Sequence, residues 1–208
     1  DIRMKDGFPW AQSTAYRKTF LGEDYIRKID AEDYVYSAYR KTADSAVKLH
    51  GESELESRMR EMTQLNFSWF MQNLLDRKDR MSMFSGLEVR VPFCDYRIAE
   101  YLYNVRWEYK DYNGQEKGLL REAMKDWLPK KVLDRKKSPY PKTHNPAFLE
   151  AVTSKLRSIL DDRDSLLTEL VSRPALEKLL KHEDHVQWYG QLMNLPQTIA
   201  FFTQLDYW

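Results

Sequence analysis

The sequence predicts a mainly α-helical fold, a bundle with one or two short extended segments. Three observations predict it. Seven glycines and eight prolines in 208 residues are too few turn-formers for an all-β chain, which needs a turn every few residues. Ser53, Asp95 and the pair Asn145-Pro146 each stand before residues with helical spacing, as helix-starting groups do. Period-two alternation marks Leu87–Phe93, the clearest extended segment.

In order along the chain, Ala11–Phe20 and Ala31–Leu49 read as helices rich in tyrosine and basic residues. A long helix starts at Ser53 and runs through Leu55, Met59, Met62, Leu65 and Trp69 towards Leu75. Its last part, LNFSWFMQNLL, is apolar on nearly every side, which is the pattern of a buried helix. It then meets Asp76, Arg77, Lys78, Asp79 and Arg80 in a row. Either the helix surfaces there, or the charges line a polar cavity.

Gly86 is a natural helix stop. Beyond it Leu87, Val89, Val91 and Phe93 alternate with Glu88, Arg90 and Pro92, so Glu88 and Arg90 share one side of an extended segment. Pro92 holds Val91 extended, and Asp95 caps a short helix with Ile98, Tyr101 and Leu102. Lys117–Trp127 is helical and ends before Pro129; a basic, proline-punctuated loop, LDRKKSPYPKTHNP, follows. Pro146 opens a helix that continues through Leu160, and Leu166–Val171, Pro174–Lys181 and Pro196–Tyr207 complete the chain. Neither a repeat nor a low-complexity tract interrupts residues 1–208, which read as one unit.

Hydrophobic residues form 42% and charged residues 31% of the chain, in the range of globular proteins. The net charge of +1 gives no reason to expect nucleic acid or an anionic membrane as partner. Cys94 is the single cysteine, so no internal disulfide can form; a reducing, cytoplasmic setting fits. The chain starts without methionine and stops at Asp206-Tyr207-Trp208, as a piece of something larger would.

Candidate chemistry is confined to a few places. No two glycines are adjacent and no G-x-G occurs, so the chain has no glycine-rich phosphate cradle of its own. His182 and His185 are three apart, but no third ligand cluster accompanies them, and no metal site is expected. Cys94 reads as a small packed hydrophobe, and His144 as loop surface. Asp79 and Arg80 can bind a substrate or pair with each other, and Glu88 and Arg90 are open to the same two readings. Arg135, Lys136, Lys137 and Lys142 sit in a loop stiffened by Pro139 and Pro141. Such a run is solvated surface in most chains, yet a fixed cationic loop is also what holds a polyphosphate. Lys117 and Arg121, one helical turn apart, add to it if they share a face.

Asp79–Asp95 contains D-R-x-S-M-x-x-G-L-E-x-R-x-P-F-x-D, Lys117–Pro129 contains K-x-L-L-R-x-A and L-P, and R-K-K follows at Arg135–Lys137. Together these strongly resemble the synthetase domain of glutamine-hydrolysing asparagine synthetases, most specifically from Leu65 to Phe148. DGFPW at Asp6–Trp10 fits the stretch after that family's active-site loop. The resemblance implies the C-terminal, helical half of an α/β domain of the ATP-pyrophosphatase type. The family's S-G-G-x-D-S pyrophosphate loop and the leading cysteine of its N-terminal glutaminase domain do not occur in this sequence.

The resemblance further implies an enzyme that activates aspartate with ATP to β-aspartyl-AMP, which glutamine-derived ammonia then converts to asparagine. ATP and Mg2+ serve the full-length enzyme, with neither expected to bind this fragment. Lys137 falls on the family's catalytic lysine and Lys117 on a matching basic position. Asp79, Arg80, Glu88, Arg90 and Asp95 are expected to form a buried polar lattice at the substrate pocket, with Arg135 fixing its loop. Val89 and Val91 fall where the family lines an ammonia tunnel. The missing partner is the glutaminase domain of the same chain; the fragment alone is expected to be inactive and prone to self-association. Two alternatives stay open: an amidotransferase or lactam synthetase acting on another carboxylate, and a non-catalytic helical interaction module.

Overall fold

A computed structural model describes residues 5–10, 14–136, 138, 145–182 and 193–208. Along it lie helices α1 (Thr14–Lys18), α2 (Glu23–Lys28), α3 (Ala31–Asp44), α4 (Glu54–Leu65), α5 (Gln72–Phe84), α6 (Tyr96–Asn104) and α7 (Trp107–Lys110). These are followed by α8 (Gly118–Ala123), α9 (Lys130–Leu133), α10 (Pro146–Asp161), α11 (Leu167–Leu170), α12 (Arg173–Leu180) and α13 (Leu195–Tyr207). The expectation of a mainly helical chain holds. Among the described residues the one β-type pairing is an isolated antiparallel bridge, Leu21 to Val171. Three helices, α2, α7 and α9, have too few residues for a periodic signal, and the sequence reading missed them.

The chain divides into two compact units. The first comprises 1–9 and 39–139, the second 10–38 and 140–208.

The second unit has an apolar core where α10 packs on α13. Leu156, Leu176 and Ile199 are fully buried there, with Phe20 against Phe202 at 5.2 Å between ring centres. Asn145 caps α10 by accepting from the Ala147 N–H at 3.0 Å, and Pro146 occupies the first turn, where a missing N–H costs nothing.

In the first unit Ser53 accepts from the Glu56 N–H at 3.2 Å and starts α4. Asn66–Met71 then forms a π-helical turn that leads directly into α5. The helix does not stop near Leu75 but continues to Phe84. There Gly86, at φ +71°, lets its own N–H reach the Met83 carbonyl at 3.0 Å and the Leu87 N–H reach Ser82 at 2.8 Å. This pair of bonds is a Schellman stop, and it needs a residue at ease with positive φ.

The core of this unit holds Tyr39, Ala43, Met59 and Leu65, together with two buried arginines that the sequence did not single out. Arg58 donates to the Tyr39 hydroxyl at 2.9 Å, to Glu61 at 2.7 Å and to the Lys5 carbonyl at 2.5 Å. Arg60 donates to Glu52 at 2.7 Å and to the Tyr103 carbonyl at 2.9 Å, with its guanidinium over the Tyr103 ring. Each charge is thereby compensated, as burial requires. Phe8, from the DGFPW stretch, meets Tyr39 and Trp69 edge-on.

One expectation about burial needs correction. Leu65 is fully buried, but Trp69 and Phe70 are 45% and 43% exposed, and Phe84 is 94% exposed. The all-round apolar pattern states what those side chains favour. Among the described residues Trp69 meets Phe8 and donates to Thr42, and that face of the helix is only partly covered.

Candidate functional site

In the first unit Asp111–Gly118 is a chain of tight turns that ends in an unusual conformation. Lys117 lies in the left-handed region, φ 60° and ψ 34°, which costs a side-chain-bearing residue free energy. The next residue, Gly118, is buried against the Tyr112 main chain, where a Cβ would stand 2.5 Å from both the nitrogen and the oxygen of Tyr112. Glycine is therefore required at 118, and its close approach holds Lys117 in place. The Arg121 N–H then donates to the Lys117 carbonyl at 3.0 Å, opening α8.

Beside this turn lies a cleft of about 550 Å³. Its apolar lining comprises Phe93, Leu120, Met124, Leu128, Val132 and Leu133. Lys117, Arg121, Arg135 and Lys136 line it too, with Glu116 the one carboxylate among the described lining residues. The cations come from two segments, 117–121 and 135–136. Arg121 joins these segments: its Nε donates to the Glu116 carbonyl at 2.7 Å and its Nη2 to the Arg135 carbonyl at 2.9 Å.

The charges here are not spent on one another. Nearby, Lys130 pairs with Asp134 at 2.7 Å and Lys125 pairs with Glu122, and each partner raises the lysine's pKa. Among the described residues no carboxylate lies within 4.0 Å of the Lys117, Arg121, Arg135 or Lys136 cation. Uncompensated cations converging on one cleft draw an anion. Ammonium and guanidinium donors fit phosphate oxygens. They do not fit a bare divalent cation, and no cluster of metal-ligating side chains exists among the described residues.

The other candidates lie away from this cleft. Arg80 pairs with Asp76 at 2.8 Å, one turn back, and not with Asp79, because adjacent residues on a helix point about 100° apart. Glu88 and Arg90 share a side, as the alternation predicted, and meet at 3.1 Å with side chains 65% and 82% exposed. Val89 and Val91 are also exposed. Asp95 caps α6 through the Arg97 N–H at 2.9 Å. The Arg97 guanidinium holds the Asp95 carboxyl below its ordinary range, and the cap bond to the Arg97 N–H adds to this. In this chain Arg80 is paired with Asp76 and Arg90 with Glu88 on exposed surface, while Asp95 is half-buried at the start of α6. Cys94 is half-buried, with its sulfur 3.7 Å from that of Met71. Lys137, Lys142, His144 and His185 lie outside the described residues.

Lys117 and Arg121, which the sequence left as partners only if they shared a face, both line the cleft, but two things had no sequence signal. One is the Arg121–Arg135 bond, which joins residues 14 apart; the other is the set of apolar residues that line the same cleft as the cations. No local signal encodes either.

Among the described residues no helix is long and apolar enough to cross a membrane. The chain is 44% identical over 208 residues to asparagine synthetase [glutamine-hydrolyzing] 3 of Bacillus subtilis, covering 99% of this chain and 34% of the relative. It is 33% identical over 168 residues to the asparagine synthetase [glutamine-hydrolyzing] of Gallus gallus, covering 76% of this chain and 28% of that protein. The human asparagine synthetase [glutamine-hydrolyzing] is 40% identical over 81 residues, 38% of this chain and 13% of that protein. This chain therefore spans about a third of the length of its Bacillus relative. The family model for asparagine synthase matches residues 3–208, and the chain belongs to that family.

Proposed function

We propose that this chain is the helical part of the synthetase domain of a larger, cytoplasmic, glutamine-dependent enzyme that converts aspartate to asparagine. One observation carries the reading. In a chain of this family, four cations that have no carboxylate partner among the described residues line one cleft together with apolar side chains. Aspartate's side-chain carboxylate attacks the α-phosphorus of ATP, and negative charge grows on the departing pyrophosphate. Lys137, supported by Lys117, stabilises that growing charge more than the ground state, and Arg135 fixes the loop that carries Lys137. Mg2+ carried with ATP would add positive charge to the phosphates; no residue of this chain is assigned to it.

Ammonia, released from glutamine by a glutaminase domain of the same longer chain, then attacks β-aspartyl-AMP and displaces AMP. Val89 and Val91 suit a path for ammonia, because apolar walls neither hold it by hydrogen bonds nor protonate it. Asp79, Arg80, Glu88, Arg90 and Asp95 shape the substrate pocket once the rest of the domain covers them. Uncovered, the apolar surface around Phe84, Phe93 and Tyr101 favours self-association, and the chain alone is inactive.

The test is aspartate-dependent ATP–pyrophosphate exchange in the full-length protein, wild type against Lys137→Ala. The expected result is wild-type exchange and a loss on the order of 10²–10³ in the variant. Exchange that survives the substitution removes Lys137 from the mechanism. Exchange with a different carboxylate, and none with aspartate, replaces the substrate.

A further inference from the structure

We propose that Arg121 is a positioning residue that fastens the two cationic segments of the cleft together, a role that rests on the phosphate-binding reading above. Arg121 is half-buried, and its guanidinium spends two donors on main-chain carbonyls, Glu116 at 2.7 Å and Arg135 at 2.9 Å. The first bond ties the turn that presents Lys117. The second ties the segment that presents Arg135 and Lys136.

Among the described residues no other hydrogen bond joins the two segments. The Arg135 N–H donates only locally, to Val132 at 3.3 Å, and the Gly118 N–H to Gln115 at 3.0 Å. Without Arg121 each segment keeps its own turn but loses its register against the other. Guanidinium geometry matters here. Its planar fork presents several N–H groups in fixed directions, so one side chain can bridge two carbonyls that face it from different segments. Lysine keeps the positive charge on a single compact head and cannot hold both directions at once. The distinction between the charge of Arg121 and its fork is therefore measurable.

The inference concerns preorganisation. Cations that stabilise a departing pyrophosphate act only if their positions are set before the charge develops. A shift on the order of 1 Å in such groups can cost about 10² in rate.

The experiment uses the full-length protein with Arg121→Lys and Arg121→Ala. It combines ATP–pyrophosphate exchange, thermal melting and amide hydrogen exchange over residues 112–118 and 132–136. Arg121→Ala is expected to lose roughly 10²-fold in kcat/KM. Arg121→Lys, although still charged, is expected to remain at least about tenfold below wild type, with an unchanged melting midpoint. Amide exchange is expected to quicken over both segments in both variants. Near wild-type turnover in Arg121→Lys overturns the inference, because charge alone then suffices. Unchanged amide exchange in both variants overturns it as well. If Arg121→Ala fails to fold, Arg121→Lys decides. Wild-type protein inert in nucleotide exchange sinks the functional reading instead, and the amide pattern then judges the clamp by itself.

Discussion

Gly118 approaches the main chain of Tyr112 so closely that a Cβ on it would stand 2.5 Å from the Tyr112 nitrogen and oxygen. Neither of those atoms is the yielding end of a flexible side chain, so the turn itself must open to admit a methyl group. Gly118→Ala is expected to destabilise the fold by about 1–3 kcal/mol, the range for forced overpacking. It should also weaken nucleotide exchange in the full-length protein by displacing Lys117. Urea denaturation measures the first effect; an unchanged midpoint would show that the turn shifts freely.

Lys117 combines a strained backbone with an ammonium that has no carboxylate partner among the described residues, and two substitutions separate them. At φ 60° glycine is unstrained, whereas alanine keeps the strain. Lys117→Gly is therefore expected to be more stable than Lys117→Ala by about 1 kcal/mol. Both should lose exchange activity on the order of 10²-fold. Retained activity in the glycine variant would assign the position a backbone role only.

Glu61 makes the first unit sensitive to acid. Burial alone would raise its carboxyl, but hydrogen bonds from Lys48 and Arg58 outweigh that effect and hold it below its ordinary value of 4.5. A depressed folded-state pKa contributes stability that is fully present above that ordinary value and is lost as pH falls through the folded value. Stability measured downward from about pH 4.5 should fall more steeply in wild type than in Glu61→Gln. Parallel curves would mean that Glu61 gains nothing from its partners.

Glu88 and Arg90 form an exposed pair at 3.1 Å in this chain. Alone, such a pair contributes about 0–1 kcal/mol, so Glu88→Ala and Arg90→Ala should melt close to wild type. In the full-length protein each should lower exchange with aspartate. Full activity in both variants would remove these residues from the substrate pocket.

Leu156 is fully buried where α10 meets α13. Leu156→Ala is expected to cost about 2–5 kcal/mol in the second unit, from lost transfer free energy and the cavity left behind. Chemical denaturation followed by far-UV circular dichroism would measure it. A cost below about 1 kcal/mol would require the core to collapse around the missing side chain.

Several starts and stops were legible because their physics is local. Ser53, Asp95 and Asn145 cap helices by accepting from an N–H two or three residues ahead. Gly86 ends a helix through its own positive φ. Glu88 and Arg90 share a side through period two alone. The row of charges from Asp76 to Arg80 was harder, because helical rotation pairs Arg80 with Asp76 and leaves Asp79 on another face.

The sequence by itself determined the helical class, the main caps, the family motifs and the identity of the basic residues. These depend on side-chain chemistry and on contacts within about one turn of chain. Only the tertiary structure decided that Arg121 bridges Glu116 to Arg135, and that Arg58 is buried against Tyr39, 19 residues away. It alone decided that Gly118 has no room for a side chain. Such contacts form between residues distant in sequence, where closure of the chain and exclusion of volume set the geometry and no local preference records it.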